Sequence, residues 1–330
     1  MTASDASLDR LIEDYQTAIG AVCEIAEAYY RLGKLDAALT ALQAGALLLE
    51  DAAEEQRLDD SRAKLLLQQG KLLVTKGFYA NSGYEAAAST LLRAQGLATS
   101  IGDEGGSADA LQLLGQAAYN KTVHGSEGDY TQALDYFQQA LARREKLEDR
   151  RGIAESLFYI GLIHERWQQP GEAESYYTRA LAIAQESGYQ IEQSYALRHL
   201  AGLAQEAGDL EKTLTLFTES LTLREGAGYK ILLPLSHIAV GDVLLAQQHL
   251  PQATTHYQVA YAIAQELDTP VAQMICMLSL GALYQQQQEL AQARSYFEQA
   301  YDQAKEIDMQ WAMGVASREL EGIARLEHNS

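Results

Sequence analysis

Several residue types are scarce in this chain. Cysteine occurs twice in 330 residues, tryptophan twice and proline four times. Two cysteines, Cys23 and Cys276, in remote and apolar helical contexts exclude a disulfide framework and suit a reducing compartment. Four prolines leave room for long uninterrupted helices, and no period-two runs bounded by turns announce strands. A basic excess is missing as well: 25 Lys and Arg stand against 45 Asp and Glu, a net charge of −20. Such a field repels phosphate backbones, so nucleic acid is not an expected partner; solubility or a basic partner are the readings left. The most apolar run, Ile231 to Ala246, carries Pro234, His237 and Asp242 and is too short and polar for a membrane span. Met1 to Arg10 has no apolar stretch of the kind a secretory signal needs. The expected location is therefore cytoplasmic, and the acceptor triplet Asn120-Lys121-Thr122 is without meaning there.

Catalytic and metal signatures are missing too. There is no nucleophile elbow and no phosphate loop, and Gly226-Ala227-Gly228 lacks a third glycine and a preceding strand. None of the seven histidines has a His or Cys partner at metal-ligand spacing. No enzyme activity and no cofactor are expected.

What is present is a period of forty residues. Gly161, Ala201, Gly241 and Gly281 form a column of small residues. Ala173, Thr213, Ala253 and Ala293 form a second, Tyr177, Phe217, Tyr257 and Phe297 a third, and Ala180, Ser220, Ala260 and Ala300 a fourth. A small residue recurring within an apolar helix marks close approach by another helix, because glycine there costs about 0.5–1 kcal/mol relative to alanine. Each unit reads as two antiparallel amphipathic helices, for example Ser194 to Ala207 and Leu210 to Glu225.

These residues resemble the tetratricopeptide repeat. Its pattern is visible as Gly128-Asp129-Tyr130, Ala133, Phe137 and Ala140, and again as Gly208-Asp209-Leu210, Thr213, Phe217 and Ser220. The period of forty exceeds the usual 34. In this it resembles the repeats of kinesin light chains and of bacterial peptide-pheromone sensors; HEAT repeats share the period but not the Ala-x3-aromatic-x2-Ala spacing. The six extra residues fall between Ala180 and Ala201 and are expected to lengthen the second helix and the loop after it. The resemblance implies an all-α, right-handed superhelical solenoid of about six repeats plus a C-terminal capping helix. Residues 1–330 form a single domain on this reading. Its repeats are 8–60, 61–106, 107–151, 154–193, 194–233 and 234–273, with 274–308 closing the regular block and a cap over 309–327. Ser7 is the expected N-cap of the first helix. Insertions at 77–83 and 122–128 are either extended turns with a function or longer helices.

In such repeats the first helix of each pair lines the concave wall. At its exposed positions stand Tyr195, Arg198, Leu235, Ile238, Leu245, Ile275 and Leu278, and these are the candidate partner-binding residues. Five aliphatic side chains buried on association would contribute about 7–15 kcal/mol against an association cost of about 4–15 kcal/mol. A reversible protein or peptide partner follows, with Tyr195 and Arg198 as the polar edge. A second copy of the chain or the capping helix are the other ways to cover the patch. Two subfamily signatures are missing. The columns Phe158, Leu162, Arg198, Gly202, Ile238 and Asp242 form no carboxylate clamp, and Leu113, Tyr159, His199, Ala239 and Ser279 form no asparagine ladder. The resemblance thus implies a non-enzymatic interaction scaffold, with a peptide-sensing regulator as the alternative.

Overall fold

The computed structural model describes residues 3–50, 52, 55–125 and 128–328. They form fifteen α-helices, two short 3-10 turns at Gln56–Leu58 and Lys230–Leu232, and no strand among the described residues. The chain divides into two compact units. The first comprises Met1–Gly77 and Gly83–Arg166, the second Phe78–Ser82 and Trp167–Ser330.

The first unit holds α1 (Ala3–Arg31) with α2 (Leu35–Glu50), α3 (Asp59–Ala80) up to Gly77 with α4 (Tyr84–Ser100), and α5 (Glu104–His124) with α6 (Thr131–Lys146), followed by α7 (Arg150–Arg166). The second holds α8 (Pro170–Ser187), then α9 (Gln190–Glu206) with α10 (Leu210–Gly226), α11 (Leu233–Ala246) with α12 (Leu250–Glu266), and α13 (Pro270–Gln286) with α14 (Leu290–Glu306). It ends on α15 (Gln310–His328), the expected capping helix. Turns of three residues join the helices of every pair but α5 and α6, whose connection spans residues 125–130, and such short links between helices that pack on each other make the pairs antiparallel. The chain is thus an all-α repeat of helix pairs.

The helix ends have local causes. All four prolines stand in the first two positions of a helix: Pro170 in α8, Pro234 in α11, Pro251 in α12 and Pro270 in α13. There the missing N–H costs nothing. Asp103 and Asp209 accept hydrogen bonds from the amides of Gly106 and Lys212 and so cap α5 and α10. Every turn from α6 onward closes on one left-handed residue, at intervals of twenty: Glu148, Gln168, Gly188, Gly208, Gly228, Gln248, Asp268, Gln288 and Asp308.

That interval corrects the expected loop. The six extra residues of each repeat do not sit between repeats. Only Gly188 and Tyr189 separate α8 from α9, which begins at Gln190 and not near Ser194. The extra length goes into both helices, each close to seventeen residues in the regular block. Helix extension also absorbs the first insertion: α3 runs through Gly77 to Ala80, and the turn is left with Asn81 to Gly83. In the second, α5 continues to His124, while residues 126 and 127 of the insertion lie outside the described residues. Ser7 lies inside α1 and is not its N-cap.

The columns are the core. Ala173, Ala253, Ala293, Ala260 and Ala300 are fully buried, as are Tyr177, Tyr257 and Phe297. The glycine heads explain why a side chain is missing there. A Cβ on Gly241 would stand 2.6 Å from Cε1 of Tyr257, one on Gly281 2.7 Å from Cε1 of Phe297, and one on Gly115 2.5 Å from Cε1 of Phe137. In each case the aromatic ring of the partner helix occupies that space. Both cysteines are free thiols, Cys276 buried and Cys23 half-buried. Among the described residues no helix is long and apolar enough to cross a membrane.

Candidate functional site on the second unit

The inner positions of α9, α11 and α13 are less open than regular repeats would leave them. Tyr195, Arg198, Leu235, Leu245, Ile275 and Leu278 are all half-buried. Ile238 is a correction to the expected surface: it is 5% exposed and belongs to the apolar core with Val240, Val243 and Ile231. An aspartate at this position would be a buried, uncompensated charge, so Ile238 is not available to a partner as it stands. Leu278 packs on clusters that include Ala312, Met313 and Leu320 of α15, so the capping helix takes part of the late wall.

Phe78–Ser82 also lies within this unit. The rings of Phe78 and Tyr79 meet edge to face at 5.1 Å, and both join the core around Ile231, Ile238 and Val240, with Leu235, Leu245 and Ile275 at its margin. The Tyr79 hydroxyl donates to the Ile231 carbonyl at 2.8 Å, and Asn81 Nδ2 donates to the Ile307 carbonyl at 2.8 Å. Five residues of the chain are thus held by an aromatic anchor and two side-chain hydrogen bonds to backbone. Periodicity carries no sign of this, because the partners are 152 and 226 residues away.

Polar contacts tie these helices to their neighbours. Arg198 Nη1 donates to the Leu235 carbonyl at 3.0 Å, and its guanidinium lies 5.7 Å from the centre of the Phe217 ring. Asp242, in the turn of α11 just beyond the Gly241 head, accepts from the Tyr257 hydroxyl at 2.7 Å and from Ser279 Oγ at 3.3 Å. Burial raises its carboxyl to about 6, although the donated hydrogen bonds work the other way. His237 and His256 face each other with Nδ1 to Nδ1 at 3.0 Å, so one ring donates and the other accepts. Sequence spacing pairs His256 only with His249 and misses this contact. The link that makes it, helix to helix across the α11–α12 turn, is the same one that joins Gly241 to Tyr257. Among the described residues no group of three or more His, Cys, Asp or Glu is placed to hold a metal ion.

The histidine pair has a measurable consequence. Burial and the neighbouring ring lower His237 to about 4, and burial lowers His256. An unfolded imidazole titrates at 6.5. Between these values the unfolded chain binds protons that the native pair refuses, so stability falls as pH drops from 6.5 toward about 4. Each unit of depression is worth ~1.4 kcal/mol. Asp242 acts with the opposite sign, since the native carboxyl keeps its proton up to about 6 while the unfolded one has lost it. We expect the melting temperature of His256→Gln to fall less than that of the wild type over this window, because the amide can donate to His237 Nδ1 at any pH. Parallel curves would show that the pair does not titrate as placed.

Two arginines without a periodic signal in the sequence occupy equivalent positions, where the neighbouring repeats have Ala184, Ala264 and Ala304. In the first unit Arg144 is 3% exposed. Its guanidinium donates to Asp109 at 2.8 Å, the Gly152 carbonyl at 2.8 Å, Ser156 Oγ at 3.1 Å and Glu155 at 3.3 Å, with Asp149 at 3.7 Å. Burial disfavours its charge, but Glu155 and Asp109 more than offset this and hold the group above its usual value. In the second unit Arg224, 4% exposed, donates to Ser194 Oγ at 3.1 Å and Ser236 Oγ at 2.7 Å and lies 5.3 Å from the centre of the Tyr195 ring.

The tetratricopeptide repeat profile matches residues 119–186, and a second profile of the same description matches residues 274–306. No curated protein matches the chain. Among solved structures it is similar to NprR in complex with its cognate peptide NprX, at 14% identity and a TM-score of 0.63 over 99% of this chain and 94% of that one. It is similar to a Rap protein complexed with competence and sporulation factor, at 14% identity and a TM-score of 0.56 over 94% of this chain and 98% of that one. The Rap conjugation gene regulator of plasmid pLS20 in complex with the Phr* peptide matches at 14% identity and a TM-score of 0.56, over 93% and 96%. At these identities the likeness is one of fold. The chain thus carries tetratricopeptide repeat matches at two separate places, residues 119–186 and 274–306, within a fold of helix pairs that these solved structures share.

Proposed function

We propose that this protein is a non-enzymatic scaffold that binds a peptide, or a short helical segment of a partner protein, on the inner face of its second unit. The observation that carries this reading is the treatment of Phe78–Ser82. An aromatic pair and an amide side chain from a short segment are already bound there through apolar burial and hydrogen bonds to main-chain carbonyls. A surface that accepts five residues of its own chain in this manner has the chemistry to accept a peptide. Tyr195, Arg198, Leu235, Leu245, Ile275 and Leu278 supply the rest of the contact; Ile238 supports it from beneath. The alternative, a peptide-sensing regulator, is favoured by the same segment, because a ligand that took its place would release the end of α3. Two proteins of the same fold were solved with peptides bound and a third with competence and sporulation factor, in agreement with either form.

The test is affinity selection of a random heptapeptide library on the full chain, followed by the double change Leu245→Ser with Ile275→Ser. Full burial of one such side chain is worth about 1.5–3 kcal/mol. Losing two half-buried contacts should therefore weaken selected peptides at least tenfold while circular dichroism stays helical. A folded double variant with unchanged affinities would place the binding surface elsewhere.

A further inference from the structure

We infer that Arg224, buried behind Tyr195, is a carboxylate-recognition residue that a peptide reaches by displacing the Phe78–Ser82 segment, so that the peptide bound there presents an acidic group to it. This rests on the groove reading above and adds the chemistry of the ligand.

The argument is a comparison of two arginines at one repeat position. Around Arg144 the structure supplies Asp109, Asp149 and Glu155. Shifting by two repeats, the residues in the places of Asp149 and Glu155 are Tyr229 and Leu235, and the residue in the place of Asp109 is Tyr195. Ser156 keeps its counterpart in Ser236, which holds Arg224 as Ser156 holds Arg144. The guanidinium and its hydroxyl support are thus retained while the counter-charges are gone. Among the described residues the partners of Arg224 are Ser194, Ser236 and the Tyr195 ring, and no carboxylate bears on its charge. A buried guanidinium bonded only to neutral hydroxyls is costly, because nothing replaces the solvation of its charge. Burial lowers its pKa, against the rise at Arg144. The planar fork of an arginine matches a carboxylate through two parallel hydrogen bonds. Tyr195 lies against the guanidinium, and Tyr79 is close enough to bear on its charge. An incoming carboxylate would therefore meet Arg224 where the Phe78–Ser82 segment lies.

A peptide has two sources of that carboxylate, its C-terminus and an Asp or Glu side chain. The experiment separates them with two random heptapeptide libraries, one ending in a free acid and one amidated, each selected on the wild-type chain, Arg224→Gln and Leu235→Glu. The wild type should enrich carboxylate-bearing peptides. Loss on amidation assigns the chain terminus; a fixed Asp or Glu in both libraries assigns a side chain. Arg224→Gln should bind those peptides at least tenfold more weakly and lose the acidic preference. Leu235→Glu puts back the counter-charge that Glu155 gives Arg144; its melting temperature should rise while capture of acidic peptides falls at least tenfold. Enrichment by the wild type without acidic preference overturns this inference and leaves the groove reading standing. So does undiminished selection by a folded Arg224→Gln, or a melting temperature lowered by Leu235→Glu. No enrichment from either library sinks the groove reading and this inference together.

Discussion

Replacing Phe297 with alanine is expected to cost about 3–5 kcal/mol, and the cost of filling Gly281 is expected to change sign with it. Phe297 is fully buried against Ala293 and Ile323, and its ring covers the Cα of Gly281. In the wild type, Gly281→Ala places a methyl 2.7 Å from ring carbon Cε1. The ring has to shift within a packed core, which costs about 1–3 kcal/mol. Once Phe297→Ala has removed the ring, the same methyl meets open space. Only its helix propensity counts then, a gain of about 0.5–1 kcal/mol. Urea denaturation of the four proteins of this double-mutant cycle measures the coupling. If Gly281→Ala has the same sign in both backgrounds, the glycine heads are not seats for the aromatic column.

The second large effect is expected at Arg144. Arg144→Met should lose about 2–3 kcal/mol. Breaking a buried pair costs about 3–5 kcal/mol, and the three carboxylates keep enough exposure to recover part of this by hydration. The change leaves Asp109, Asp149 and Glu155 facing one another and withdraws the donor that Ser156 and Gln112 are arranged around. Arg224→Met should behave differently. With no counter-charge to strand, a hydrophobic side chain of similar length is expected to be neutral or stabilising. Equal losses at both positions, read from urea midpoints, would mean that Arg224 has a compensating partner after all.

The sequence revealed helices because burial in a repeat is periodic. Gly241, Tyr257, Ala253 and Ala260 recur at a fixed interval since each meets the same neighbour in each unit, and the family resemblance rests on the same columns. Twenty-residue spacing between left-handed turns was hidden, as glycine marks only three of the nine positions. Glutamine and glutamate hold four of the other six and aspartate two, and of these types only aspartate leans toward the conformation. The candidate site was legible only as a face. Leu235, Leu245 and Ile275 border one apolar core, but Ile238, read as groove-facing because a regular repeat leaves that position open, lies inside that core. Tyr79 closes it, and the Tyr79–Ile231 contact joins residues too far apart for any period to encode. The arginines were missed because a column that alternates arginine with alanine has no simple hydrophobic pattern. Their meaning lies in what surrounds them, three carboxylates in one case and Tyr195 in the other.

Phe78–Ser82 has a further consequence, for cooperativity. In an array whose helix pairs touch only their sequence neighbours, stability is a sum of local terms and the ends can fray one pair at a time. The hydrogen bonds from Tyr79 to Ile231 and from Asn81 to Ile307 span 152 and 226 residues. They tie the entry of α11 and the approach to α15 to a single short segment. Loop entropy grows only with the logarithm of length, so such long closures cost little more than short ones. Opening the last helix pairs therefore breaks a contact that the middle of the unit also needs, and a chain built for piecemeal unfolding acquires a reason to open all at once.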